Sequence, residues 1–238
     1  MAHTLKEFLM RFSIALVCVV TGLALSVFSL AEDKPDTAPT KPADKPAGKV
    51  IELFDGKTLK NWKVPEFGGE GKVTVKDGHI IIGTGDPMSG ITWEGGELPK
   101  VDYELTFEAQ RIDGNDFFGT ITFPVQKDSC SFVLGGWGGG VTGLSTLDGS
   151  SAIENETTNF QEFEKGKWYK IRVRVTKTKI ETWIDDKQVV NVDYADKRVS
   201  IRIEVELNKP LGFSTYRTTG AIRAVKIAEM AAAPVEKK

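Results

Sequence analysis

Val101-Asp102-Tyr103-Glu104-Leu105-Thr106-Phe107-Glu108-Ala109-Gln110 alternates apolar and polar residues without a break. A period of two sends successive side chains to opposite faces, so this stretch predicts a strand with one buried and one solvated face. The same alternation recurs in Tyr169, Ile171, Val173 and Val175, set between Lys170, Arg172, Arg174 and Thr176. It recurs again in Ile201, Ile203, Val205 and Leu207, set between Arg202, Glu204, Glu206 and Asn208. Asp77-Gly78 reads as a hairpin turn joining Lys72–Lys76 to His79–Gly83, and Asp185-Asp186-Lys187 joins Ile180–Ile184 to Gln188–Val192. Further strands are expected at Ile91–Trp93, Phe117–Phe123, Ser131–Leu134, Val141–Leu147, Leu211–Tyr216 and Ile222–Ile227. No segment carries a helical period. An all-β fold follows, a two-sheet antiparallel jelly-roll sandwich spanning residues 50–230.

Outside that span the chain changes character. Lys6 and Arg11 precede an uncharged apolar run from Phe12 to Leu30, and Ser29-Leu30-Ala31 supplies the small residues a signal peptidase reads. Residues 1–31 are therefore expected to be an export signal, which places the protein in the periplasm or outside the cell. The run is also long enough to span a bilayer as an uncleaved membrane anchor. Residues 32–49, built of Lys, Asp, Pro, Ala and Thr, offer almost nothing to bury and read as an extended linker; residues 231–238 read as a disordered tail. Loss of the signal removes Cys18 and leaves Cys130 alone, so no intrachain disulfide is expected and stability must come from the core. It also removes Lys6, Arg11 and Glu7, leaving 29 basic and 32 acidic residues. That balance argues against a nucleic-acid partner or an anionic membrane surface.

The start of the domain, Leu53-Phe54-Asp55-Gly56-Lys57-Thr58-Leu59-Lys60-Asn61-Trp62, sets a tight Asp-Gly turn between apolar pins. This run resembles the entry motif of the bacterial 3-keto-disaccharide hydrolase family, Leu-Phe-(Asp/Asn)-Gly-Lys-x-Leu-x-x-Trp, at every position. Val75-Lys76-Asp77-Gly78 with Ile80 to Gly85, Val101 to Glu108, Gly166-Lys167-Trp168-Tyr169 with Lys170 to Val173, Trp183 to Asp186, and Ile222 to Ile227 are similar to later family segments in the same order. The resemblance implies a concanavalin A-like jelly roll and chemistry on 3-keto-glycosides. There a base takes the acidified C2 proton, the glycosidic substituent is eliminated, and water adds back. Two departures stand out. The family's Arg after the second long strand is missing from Phe117-Phe118-Gly119-Thr120-Ile121-Thr122-Phe123, and its Gly-Tyr-Glu-x-Gln-Ile-x-Asp segment is replaced by Phe132-Val133-Leu134-Gly135-Gly136-Trp137.

Candidate chemistry clusters around Cys130 to Gly149, where seven glycines surround Trp137. Glycine at that density permits close approach to the backbone. Trp137 there is either a stacking platform for a sugar ring or, if the run is a flexible inter-strand crossover, a residue folded back onto the core. Asp148 and Glu154 are the candidate bases, although a solvated loop reading fits Ser150 to Asn159 as well. Asn115, Asp116, Trp137, Lys209 and Arg217 are candidate substrate contacts, with Lys209 and Arg217 placed to polarise a keto oxygen. Glu204 and Glu206 lie opposite the Ile201–Leu207 stripe, on a face that either binds ligand or is merely exposed. His79 is the only histidine after export, so a histidine-based zinc site or Ser-His-Asp triad is not expected. Cys130 reads as a buried small apolar group. No metal ligands are assigned and no cofactor is expected with certainty; an oxygen-ligand site for a divalent cation such as Ca²⁺ stays open.

The expected function is that of a secreted carbohydrate-active domain, a hydrolase or lyase acting on 3-keto-glycosides. The alternative is a non-catalytic glycan-binding or envelope adhesion module of the same fold. Either way the expected partner is a carbohydrate or glycoside.

Overall fold

The computed structural model describes residues 48–230; the expected signal, all but the last two residues of the linker, and the tail lie outside the described residues. Among the described residues there are fifteen strands and one short 3₁₀ helix, and no helix is long and apolar enough to cross a membrane. The strands are β1 (Val50–Glu52), β2 (Trp62–Lys63), β3 (Val73–Lys76), β4 (His79–Ile82), β5 (Met88–Trp93), β6 (Tyr103–Asp113), β7 (Thr120–Val125) and β8 (Asp128–Gly136). They continue with β9 (Val141–Ser145), β10 (Asn159–Phe160), β11 (Trp168–Val175), β12 (Lys179–Ile184), β13 (Lys187–Asp193), β14 (Gly212–Tyr216) and β15 (Thr219–Glu229).

They form two antiparallel sheets, the jelly-roll sandwich that the alternation predicts. The first runs β13-β12-β11-β6-β15-β4-β3, with β1 added beside β4 along β15; the second runs β10-β9-β8-β7-β14-β5-β2. In the first sheet Tyr103, Leu105, Phe107 and Ala109 of β6 pair with Val175, Val173, Ile171 and Tyr169 of β11, so one apolar stripe faces inward across both strands. Ile91, Ile121, Phe123, Cys130, Phe132, Leu134, Leu144 and Phe213 project from the second sheet into the same core. Phe107 meets Phe213 edge-on at 4.9 Å, a contact that joins the two layers. The chain enters and leaves on the first sheet: Gly48 N donates to Glu229 O at 3.1 Å, and Glu229 N to Lys49 O at 3.0 Å.

The entry motif acts as the sequence suggests. Asp55 accepts hydrogen bonds from the Lys57 and Thr58 amides, both at 2.7 Å, and the Trp62 indole donates to Leu53 O at 2.7 Å while packing against Trp93.

Two expectations are corrected. Ile201–Leu207 is not a strand: residues 198–202 are an extended strap and Ile203–Asn208 a 3₁₀ helix, with Ile203 81% exposed and only Val205 of the apolar set buried. The strap is tied by its backbone to Thr146 and Asp148 and so crosses the outer face of the second sheet without joining it. The glycine run is also not a crossover. β8 continues to Gly136 and turns back directly into β9, with a bulge at Gly135.

Candidate functional site

The outer face of the second sheet is built from small polar residues. Strand parity that turns Ile121, Phe123, Phe132 and Leu144 inward necessarily turns Thr120, Thr122, Ser131 and Ser145 outward. Register then sets Thr92, Gly212, Thr122, Ser131 and Ser145 in one row across five strands. All four side chains in that row are buried although they face away from the core, because the strap lies over them. Thr122 and Ser131 share a hydrogen bond at 2.9 Å, and Thr92 donates to Leu207 O at 2.7 Å. Ser145 Oγ, 1% exposed at residue level, has no partner. Ser214 Oγ, beside the row, also has none.

Asn208 pins the strap. Its side-chain amide is fully buried and donates to Ile91 O at 3.1 Å and to Phe213 O at 3.2 Å. Gly212 makes room for it: a β-carbon there would stand 2.8 Å from the Asn208 amide nitrogen and 2.6 Å from Ile91 O. Held in this way, the strap brings Arg202, Glu204 and Val205 over the floor. Arg202 and Glu204 form an ion pair at 2.6 Å, and that hydrogen bond holds the Glu204 carboxyl below its ordinary range against the opposing effect of burial.

The other wall includes the β8–β9 hairpin. Trp137 sits at its turn with φ 50° and is 43% exposed, so it is not folded onto the core. The residue that shapes this hairpin is Arg111, which occupies the next inward position of β6 after Ala109 and is 5% exposed. Its guanidinium donates to the carbonyl oxygens of Asp116 (3.0 Å), Gly139 (3.1 Å), Gly135 (3.3 Å) and Phe163 (3.3 Å), and stacks 4.8 Å from the Phe118 ring centroid. Burial pushes the guanidinium below its ordinary pKa, with the Asp116 charge opposing. A β-carbon at Gly135, whose φ is +71°, would lie 2.4 Å from Arg111 Nη2. The close approach that the glycines permit at this point is therefore by Arg111 from within. On the outside, Asp116 accepts from the amides of Phe117 and Gly138, each at 2.8 Å, which locks the hairpin turn to the β6–β7 loop.

Together these elements enclose a cleft of about 310 Å³, floored by Thr120, Ser131, Val133 and Ser145 and walled by Phe117, Trp137 and Tyr216 on one side and Arg202, Glu204 and Val205 on the other. Phe117 and Tyr216 pack against each other at 5.7 Å. Of the expected site residues, Asp116 and Trp137 line this cleft. Asn115 is exposed beside Asp116, and Arg217 follows Tyr216, with its guanidinium 3.5 Å from Asp86 and 5.8 Å from the Tyr216 ring. Asp148, Glu154 and Lys209 are not in the lining. Asp148 accepts from the Arg198 amide at 2.7 Å. Glu154 accepts from the Ser151 hydroxyl at 2.6 Å, which lowers its pKa. Lys209 pairs with Glu206 at 2.7 Å.

The aromatic partners Phe117 and Tyr216 and the hydroxyl floor were not expected. The strands carrying Thr120, Ser131 and Ser145 do show hydroxyls in the phase opposite the core residues, and that signal was available. His79 lies on the first sheet, against Trp168 and Arg223, and Cys130 is in the core, its thiol pushed up to about 12 by burial. Among the described residues no group of three or more His, Cys, Asp or Glu gathers as a metal cluster.

The model of a 3-keto-alpha-glucoside-1,2-lyase-like domain matches residues 49–228. Among solved structures, an apo Crh5 transglycosylase is 11% identical over 77% of this chain and 84% of its own, with a TM-score of 0.50. A carbohydrate-binding module, CBM66 from Bacillus subtilis, is 12% identical over 71% of this chain and 96% of its own (TM-score 0.48). Domain 4 of AbnA, a GH43 extracellular arabinanase from Geobacillus stearothermophilus in complex with arabinotriose, is 15% identical over 73% and 84% (TM-score 0.48). At 11% identity the likeness to the transglycosylase is one of fold alone. Among curated proteins none matches the sequence.

Proposed function

Because the chain belongs to the 3-keto-alpha-glucoside-1,2-lyase-like family, we propose that the cleft on its second sheet is the glycoside-binding site of an exported carbohydrate-active domain. The observation that carries this reading is the pairing of an exposed indole with a floor of uncharged hydroxyls. A sugar ring has an apolar C–H face and a rim of hydroxyls, and it is recognised by an aromatic surface set against fixed hydrogen-bonding groups. Trp137, with Phe117 and Tyr216 beside it, supplies the surface. Titration of the purified domain with α- and β-glucosides, read by tryptophan fluorescence, tests this. Trp137→Ala is expected to weaken binding about tenfold. Unchanged affinity in that variant overturns the assignment.

A catalytic reading is favoured by the Arg202–Glu204 pair at the opposite wall. On a 3-keto-glycoside, Glu204 would take the C2 proton and the electrons of that bond would form the C1–C2 double bond as the C1 substituent departs. Arg202 would stabilise the negative charge carried by the keto oxygen in between. The substituent leaves with the proton taken from C2, and water then adds across the C1–C2 double bond, its hydroxyl to C1 and a proton to C2. The Asp116 carboxylate is the other acid in the lining, and both its oxygens already accept backbone amides. Release of the aglycone from 3-keto-glucosides, abolished in Glu204→Gln with binding retained, is the expected result. Glycoside binding with no release, with and without added divalent metal, leaves the domain a binding module and removes the catalytic reading.

A further inference from the structure

The cleft has two chemically different halves, and strand order separates them. Its lining reaches from Ser145 on β9 to Met88 on β5, four inter-strand spacings or about 19 Å along the hydrogen-bonding direction. A single sugar ring held at Trp137 leaves much of that length unused. The half above β9 and β8 carries Ser131 and Ser145, with Asp116 and Trp137 at its hairpin wall. Arg202 belongs to this half, because Ser200, two residues earlier, exchanges backbone hydrogen bonds with Thr146 at the end of β9 (2.8 and 3.1 Å). The half above β14 and β5 is apolar. Tyr216 pairs with Met88 across these strands, Phe117 packs on Tyr216, and Val205 completes the lining from the 3₁₀ helix, which lies against β5 and β14. Beyond Met88 the half-buried Phe67 ring lies over Gly90, where a β-carbon would stand 3.2 Å from Phe67 Cε2. Tyr216 brings the one hydroxyl among these side chains; Ser214, on the same face of β14, is fully buried and out of the lining. β14 is paired on both sides, which engages its backbone as well.

We infer that this apolar half receives the substituent on C1, and that the ligand is the glycoside of an aryl or other flat apolar alcohol in place of a second sugar unit. The inference rests on the cleft's being a glycoside site, and it names the ligand class. The sugar lies against Trp137 over the Ser131 and Ser145 floor, and its substituent continues along the cleft to Phe117, Tyr216 and Met88. An aromatic ring there gains contact with two aromatic side chains and a thioether. A second sugar would bring hydroxyls to side chains that, Tyr216 apart, neither donate nor accept, and its lost hydration would go unreturned.

Calorimetric titration of the wild-type domain with methyl glucosides, phenyl glucosides and gluco-disaccharides, each as α and β anomers, tests it, with phenol alone as a further ligand. The phenyl glucoside of the preferred anomer is expected to bind about tenfold more tightly than the methyl glucoside, and the disaccharides no more tightly than the methyl glucoside. Val205→Thr keeps the side-chain shape and adds a hydroxyl, and Met88→Gln sets an amide at the far end. Each should lower the phenyl-to-methyl affinity ratio about 3- to 10-fold. The ratio is read within one protein, so a general loss of folded material cancels from it. Methyl glucoside binding with a wild-type ratio near one overturns the apolar subsite and leaves the glycoside site standing. Disaccharides that bind more tightly than the phenyl glucosides overturn it in favour of a second sugar position. A ratio undiminished in both variants overturns the placement of the ring in this half. Absence of binding by every glycoside, or phenol binding as tightly as phenyl glucoside, overturns the glycoside site itself.

Discussion

Replacement of Arg111 by methionine removes the donors at the centre of the hairpin while nearly filling the space. Four carbonyl oxygens then lose a charged donor: those of Asp116, Gly135, Gly139 and Phe163. Hydrogen bonds to charged groups contribute about 1.5–3 kcal/mol each, so the gross loss is on the order of 6–12 kcal/mol. Against this stands the relief of a buried charge that faces no carboxylate directly, worth several kcal/mol. Gly139 and Asp116 lie near the surface and can take water in exchange, which trims the loss further. The net destabilisation expected for Arg111→Met is about 3 kcal/mol, near the upper end of what single substitutions produce. With a urea slope of about 2 kcal/mol/M, the unfolding midpoint should fall by about 1.5 M. Hydrogen exchange supplies a second readout: the Gly138 and Gly139 amides, held by Asp116 Oδ2 and Gly136 O, should lose protection more than the β6–β11 ladder does. A midpoint within about 0.3 M of the wild type, with the hairpin amides still protected, would refute the claim that Arg111 organises this wall of the cleft.

Two further outcomes follow from the strap. Asn208→Ala deletes the amide that ties the 3₁₀ helix to β5 and β14, and it also removes an unsatisfied Oδ1, so a cost of about 2 kcal/mol is expected. Limited proteolysis should then cut within Ile203–Leu207, and an uncut strap would count against the anchor. Glu204, its pKa held below 4.5 by Arg202, gives a stabilising ion pair that is fully present above the unfolded value and fades as pH falls through the lower folded one. Cleft function should accordingly be flat from about pH 8 to about pH 5 and decline below about pH 4.5; an inflection near neutrality would exclude Glu204 as the group that matters.

Most of the sandwich was legible because its strands obey strict alternation, and Asp77-Gly78 closes a hairpin in the predicted place. The strap was misread for the same reason. Ile201 to Leu207 alternates as faithfully as β6, yet its segment is held from both ends, by Thr146 and Asp148 before it and by Asn208 after it. Local pattern carries no information about such distant ties. The glycine run concealed its own cause, since Gly135 answers to Arg111, twenty-four residues earlier in the chain. One clue was in view: Arg111 falls in the buried phase of Tyr103, Leu105, Phe107 and Ala109, where a charge requires partners. Of the candidate site residues, Asp116 and Trp137 could be picked out by their loop, whereas Asp148 and Glu154 are carboxylates engaged in stabilising turns.

The hydrogen bonds between Gly48–Lys49 and Glu229 have a practical corollary. The polypeptide comes in and goes out through one doorway, on the layer that does not bear the cleft. A unit with such wiring can be spliced into a host protein as a cassette, or circularised and reopened at the Asp77-Gly78 turn, with the strands that line its cleft left in their native order.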